Sequence, residues 1–157
     1  MQIREFRPED AAALAQIFHD AVHGIGARDY SLEQLSAWSP EPAPADVWAS
    51  RAADGRRVFV AADGQDQPQA FIELETDGHI DCFYCRPQAA GNGTGAALYQ
   101  RLETEARSLG LKSLYVEASE AACRFFLRQG FTVEVRREIE RRGVTLHNYR
   151  MTKPLSG

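Results

Sequence analysis

The sequence is poor in cysteine, in basic charge and in long apolar runs, and each shortage removes a class of protein. Three cysteines among 157 residues are too few for a disulfide framework. No stretch approaches the roughly 18 apolar residues that a membrane-spanning helix requires, so no membrane partner is expected. The first residues open directly on an amphipathic strand and an acidic helix, which points to the cytoplasm. Net charge is −4, and basic residues are scattered apart from Arg136-Arg137 and Arg141-Arg142, so nucleic acid is a poor partner. Those doublets flank a turn at Gly143, where charge on an exposed hairpin is the simplest account.

No repeat or low-complexity tract interrupts the chain. At 44% hydrophobic residues it can bury one substantial core, and it reads as a single domain over 1–157. Cys82 and Cys85 have Cys-x-x-Cys spacing, but residues three apart on a strand point to opposite faces. They read as small buried strand residues, and no metal site is assigned.

Residues 2–7 read as a first strand, and Leu14, Ile17, Phe18, Ala21 and Val22 recur at helical spacing over 8–23. Ser31 and Gln34 form a capping box for a short helix through Trp38, and Asp46 is placed to cap the next. Strand-like runs at 57–62, 69–76 and 79–85 make an antiparallel meander with turns at Asp63-Gly64 and Asp77-Gly78. A helix from Thr94 stops at Gly110. A strand at 113–117, a helix over 121–129 and a final hairpin complete the order β, helices, βββ, α, β, α, ββ.

Chemistry concentrates in Ala90-Gly91-Asn92-Gly93-Thr94-Gly95, between the strand ending at Cys85 and the following helix. Glycines free the backbone to reach positive φ, and a helix start offers unpaired amides and a positive dipole end. A phosphate or pyrophosphate is the expected guest. A Walker loop would need Gly-Lys-Ser/Thr, whereas Ala96 and Ala97 follow Gly95. Gly91-x-Gly93-x-x-Ala96 with Glu117 also matches a dinucleotide or S-adenosylmethionine fingerprint. Residues 86–90 delay that loop, however, and too little chain follows Glu117 for the second half of a doubly wound sheet.

Cys85-Arg86-Pro87, the glycine loop, Phe125-Phe126-Leu127-Arg128-Gln129-Gly130-Phe131 and Tyr149-Arg150-Met151-Thr152-Lys153-Pro154-Leu155 together resemble the motifs of the GCN5-related N-acetyltransferases (GNAT). The resemblance covers roughly the C-terminal half. It implies a mixed α/β fold: a mostly antiparallel sheet of about seven strands, helices on both faces, splayed between strands four and five. It also implies acetyl-CoA as cofactor, a small-molecule or peptide amine as acceptor, direct acetyl transfer, and a homodimer of the kind usual among such proteins. Without turnover, the same features would suit a CoA-binding regulatory domain.

On this resemblance, amides of Gly91, Asn92, Gly93, Thr94, Gly95 and Ala96 hold the pyrophosphate, with the Thr94 hydroxyl as an extra donor, and the backbone of Phe83 and Cys85 pairs with pantetheine. Ala90 replaces the family's usual Arg or Gln, leaving Arg86, Gln88 or Arg128 to compensate. Phe126 replaces the tyrosine that often protonates the departing thiolate; it is expected beside the cofactor, with Phe125 in the core and Tyr149 as the substitute acid. The amine needs a base on strands four or five. Glu117 and Asp81 rank above His79, with Asp81, His79, Phe83 and Cys85 expected on one strand face and Glu117 also placed to cap the next helix. Tyr30, Trp38 and Glu73 are the candidate acceptor contacts, while Leu35 and Trp48 are expected in the core.

Overall fold

The structure, a computed structural model, describes residues 1–155, so the last two positions of the expected domain lie outside the described residues. The elements in order are β1 (Gln2–Glu5), α1 (Ala11–Gly24), α2 (Leu32–Trp38), α3 (Ala45–Ala52), β2 (Arg57–Ala62), β3 (Pro68–Leu74), β4 (His79–Cys85), α4 (Thr94–Ser108), β5 (Ser113–Ala118), α5 (Glu120–Arg128), β6 (Thr132–Arg141) and β7 (Val144–Pro154). Among the described residues they form one seven-stranded sheet in the order β1-β2-β3-β4-β5-β7-β6. Every neighbouring pair is antiparallel except β4 with β5. That pattern excludes the largely parallel sheet of the methyltransferase alternative. No helix among the described residues is long and apolar enough to cross a membrane.

Strand alternation sends side chains to two cores. On one face, Leu14 and Ile17 of α1 and Trp48 of α3 pack on Val58, Val60, Phe71 and Cys82. On the other, Leu98, Tyr99 and Leu102 of α4 and Phe126 of α5 cover Phe59, Ile72, Ile80, Leu114 and Val116. Burying each large apolar side chain contributes about 1.5–3 kcal/mol, so the two layers clamp the sheet from both sides. Cys82 belongs to the first core and Cys85 packs against the second, so their thiols diverge as the spacing predicts.

Local signals set most boundaries. Ser31 and Gln34 make the expected reciprocal cap on α2. Pro44, not Asp46, precedes α3: its fixed φ of −58° starts the helix two residues earlier and leaves Asp46 in the first turn. Ser119 accepts from the Ala122 N–H and caps α5, a task the sequence also offered to Glu117.

Two features of β4 shape the centre of the molecule. Its parallel pairing with β5 is confined to His79–Tyr115 and Ile80–Val116. Beyond them β4 follows β3 and β5 follows β7, so the two strands part. The second feature is a bulge: Leu74 pairs with Ile80 but Glu73 pairs with Cys82, leaving Asp81 as the extra residue. The bulge inverts the alternation, so the expected shared face of His79, Asp81, Phe83 and Cys85 does not form. Phe83 and Cys85 pack on the α4 side together with Ile80, while Asp81 turns toward α3.

Candidate active site

At the end of β4, Pro87–Ala89 form a short 3-10 turn that leads into the glycine loop. Gly91 and Gly93 have φ of 81° and 87°, left-handed values that favour glycine. Asn92 Oδ1 accepts from both the amide and the hydroxyl of Thr94. Thr94 is also buried, so its expected hydroxyl contribution to anion binding is spent on bracing the loop. The amides of Gly91, Asn92, Gly93, Gly95 and Ala96 make no hydrogen bond among the described residues. They gather at the positive end of α4. Arg86, named as a compensating cation for Ala90, pairs with Asp20 instead.

Two clefts open into the gap between β4 and β5. One, of about 190 Å³, runs from Ala90, Gly91 and Gly95 past Cys85 and Phe125, under Ala21 and Val22 of α1 and Ile25 just after it. The other, of about 230 Å³, is walled by His79, Asp81, Val116 and Glu117 on one side and by Arg137, Ile139, Arg141, Leu146, His147 and Asn148 on the other. Tyr30, Trp38, Phe83, Tyr84, Ser119 and Ala122 line both and mark where they meet. The Arg86 N–H donates to the carbonyl of Gln69 in β3. By alternation the backbone polar groups of Phe83 and Cys85 therefore face the gap.

Glu117 holds a carboxylate in the wall of the second cleft. His79 Nε2 lies 2.8 Å from its Oε2, and His79 Nδ1 lies 2.5 Å from Glu75 Oε1. Burial opposes the imidazolium, but hydrogen bonds to Glu117 and Glu75 overcome it and push the His79 pKa up to about 9. The same contact with His79 holds the Glu117 carboxyl below its ordinary range. At neutral pH the pair is thus imidazolium and carboxylate, and Glu117 Oε1 makes no hydrogen bond among the described residues.

Several sequence candidates are placed elsewhere. Asp81 lines the second cleft, but its Oδ2 is gripped by Arg51 at 2.6 Å and Arg56 at 2.8 Å. Glu73 is fully buried between the same two guanidinium groups and lines neither cleft. The Tyr149 hydroxyl donates to Glu120 at 2.6 Å and also lies outside both clefts. Phe126 is fully buried in the core and lines the second cleft, while Phe125 lines the first. The α5 phase set by Ser119 turns Phe126 to the sheet, while Phe125 packs against the same core at the rim of the first cleft. Tyr30 donates to the His147 carbonyl and accepts from the Glu120 amide; with Trp38 it forms an edge-to-face pair at 5.6 Å.

Sequence reasoning missed Tyr84 and the hairpin wall. Arg137, Ile139 and Arg141 turn inward together because they alternate along β6. A period-2 count through the basic doublets would have found them.

The family model for the acetyltransferase (GNAT) domain matches residues 26–153. The chain belongs to the GNAT family. The Escherichia coli (strain K12) N-acetyltransferase YafP is 32% identical over 152 residues, spanning 96% of this chain and 94% of that protein. The peptidyl-lysine N-acetyltransferase YjaB of Salmonella typhimurium is 31% identical over 146 residues, 89% of each chain. A solved GCN5-related N-acetyltransferase from Rhodopseudomonas palustris superposes with a TM-score of 0.82 at 34% identity, covering 98% of this chain and 95% of that one. Other solved structures sharing the fold carry acetyl-CoA or coenzyme A. In this GNAT chain the family's loop arginine or glutamine is Ala90 and its α5 tyrosine is Phe126.

Proposed function

We propose that the chain is an acetyl-CoA-dependent N-acetyltransferase that moves the acetyl group to a primary amine by direct attack. The observation that carries this reading is the meeting of two clefts at the β4–β5 gap, one reaching the glycine loop and the other ending at Glu117. The fit to coenzyme A is chemical: unpaired amides for a pyrophosphate at one end, and β4 backbone groups for the amide-rich pantetheine arm. Bound there, acetyl-CoA supplies the activated acyl group.

Glu117 takes the ammonium proton, directly or through one water, and the freed nitrogen attacks the acyl carbon. A backbone N–H of β4 facing the gap stabilises the oxyanion. Cysteine chemistry is disfavoured, because burial pushes the Cys85 thiol up to about 11 and also raises Cys82 and Cys123. Transfer in a ternary complex follows. Tyr84 takes the place of Tyr149 as candidate donor to the departing thiolate: it lines both clefts and its hydroxyl makes no hydrogen bond among the described residues. Burial keeps that phenol protonated.

Calorimetric titration with acetyl-CoA, with S-adenosylmethionine as control, followed by thiol release across an amine panel, tests the proposal. Saturable acetyl-CoA binding with amine-dependent thiol release supports it. Binding without release from any amine would leave a CoA-binding regulatory domain, and no binding would sink both.

A further inference from the structure

Most arginines of this acidic protein are answered by carboxylates: Arg4 by Asp10, Arg51 and Arg56 by Glu73 and Asp81, Arg124 by Asp29, Arg150 by Glu134. The two that line the second cleft are not. Arg137 donates its Nε to the Asn148 amide oxygen at 3.1 Å and makes no ion pair among the described residues. Arg141 makes no side-chain hydrogen bond or ion pair among them. Of the other polar side chains on that wall, His147 is held by Glu120, and across the cleft Asp81 and His79 are held by the arginine pair and by Glu75 and Glu117. Two guanidinium groups, a half-buried Arg137 and an exposed Arg141, therefore line the cleft on one strand face with no carboxylate in ion-pair contact, and Arg137 lies near enough to Glu117 to help hold its carboxyl low.

Resting on the acetyltransferase reading, we propose that the acceptor is a small amine that also carries an oxyanion, a carboxylate or phosphonate, on an apolar body. The ammonium goes to Glu117 and the oxyanion to Arg137 and Arg141, whose planar forks match a carboxylate or phosphonate in a way that a lone positive charge does not. The apolar body lies against Tyr30, Trp38, Ile139 and Leu146, which line the same cleft. A cavity of about 230 Å³ suits a molecule of amino-acid size. Polyamines and other acceptors bearing only positive charge meet two guanidinium groups that hold no ion-pair partner in contact and are disfavoured.

The test compares matched pairs that differ only in the acid group: L-phenylalanine with phenethylamine, L-leucine with isoamylamine, and L-methionine with 3-(methylthio)propylamine. The phosphonate analogue of phenylalanine distinguishes the two oxyanions, and a blocked lysine peptide represents the macromolecular rival. Thiol release is expected to favour the acid in at least one pair by about tenfold or more in kcat/KM, the scale of one charge-assisted contact. Arg137→Ala and Arg141→Ala narrow that preference, while Arg137→Lys and Arg141→Lys restore part of it.

Binding supplies a readout that does not depend on turnover. The N-acetyl derivative of each acid and of its neutral partner is titrated calorimetrically into the full-length protein, with and without coenzyme A. Tighter binding of the acid derivatives, weakened by Arg141→Ala, is the expected result. Equal affinity within every pair, or preferred turnover of the neutral amines or the lysine peptide, overturns the proposal and leaves the acetyltransferase reading standing. Failure of acetyl-CoA to bind overturns that reading instead, and the comparison without coenzyme still reports on the arginines.

Discussion

Glu117 and His79 act as a pair, and their charges make two expectations concrete. Glu117→Gln removes the proposed proton acceptor while keeping a hydrogen-bonding shape. The expected loss is about 10²- to 10⁴-fold in kcat with acetyl-CoA affinity retained, read by thiol release and calorimetry. An unchanged kcat would transfer the base to Asp81 or to solvent. His79 titrates near 9 in the fold against an ordinary 6.5. A raised histidine pKa contributes stability that is full below 6.5 and is lost as pH rises through about 9. The urea midpoint should therefore fall between pH 6.5 and 9, and His79→Gln should flatten that slope. Which carboxylate is free and which is committed was invisible in the sequence: Asp81 and Glu117 share chemistry, and only their neighbours separate them.

The bulge in β4 and the loop before α4 are the elements on which the site turns. The bulge sends Asp81 to Arg51 and Arg56 beside Glu73, forming a buried ionic cluster under α3. Glu73→Ala removes the fully buried carboxylate of the cluster and leaves Arg51 and Arg56 to Asp81, so urea unfolding should register a loss of about 1–3 kcal/mol. The acceptor KM of the surviving fold should move little, as expected of a structural carboxylate rather than an acceptor contact. In the loop, a Cβ on Gly93 would meet nothing within 4 Å, so Gly93→Val acts through its φ of 87° alone. It should cost roughly 1–3 kcal/mol and weaken acetyl-CoA binding. A Cβ on Gly95 would lie 3.0 Å from Phe83 Cζ, so even Gly95→Ala disturbs the ring that divides the two clefts. The glycines were legible because their spacing states a backbone need. The bulge was not, because one extra strand residue leaves no mark in composition or periodicity.

Across the whole molecule, the β4–β5 seam is the weakest line in the sheet. Two register pairs join it, whereas β2–β3 and β5–β7 are paired along six positions each. A ligand lying in that gap bridges both halves. Acetyl-CoA at about a hundred times its Kd should add about 2.7 kcal/mol to unfolding stability, seen as a rise in Tm; no rise would argue against binding in the gap. The motifs of the sequence carried the resemblance to the GNAT family, and the sequence by itself determined the order of elements, the Ser31–Gln34 cap, the opposed cysteines and the glycine loop. Those follow from local backbone needs and from hydrophobic period, both written along the chain. Tertiary structure alone decided which ionisable groups are spent and which are free, that Phe125 rather than Phe126 lines the first cleft, and that half of each basic doublet turns inward. These depend on contacts between residues dozens of positions apart, where a one-residue bulge or a helix phase changes the partner of every side chain that follows.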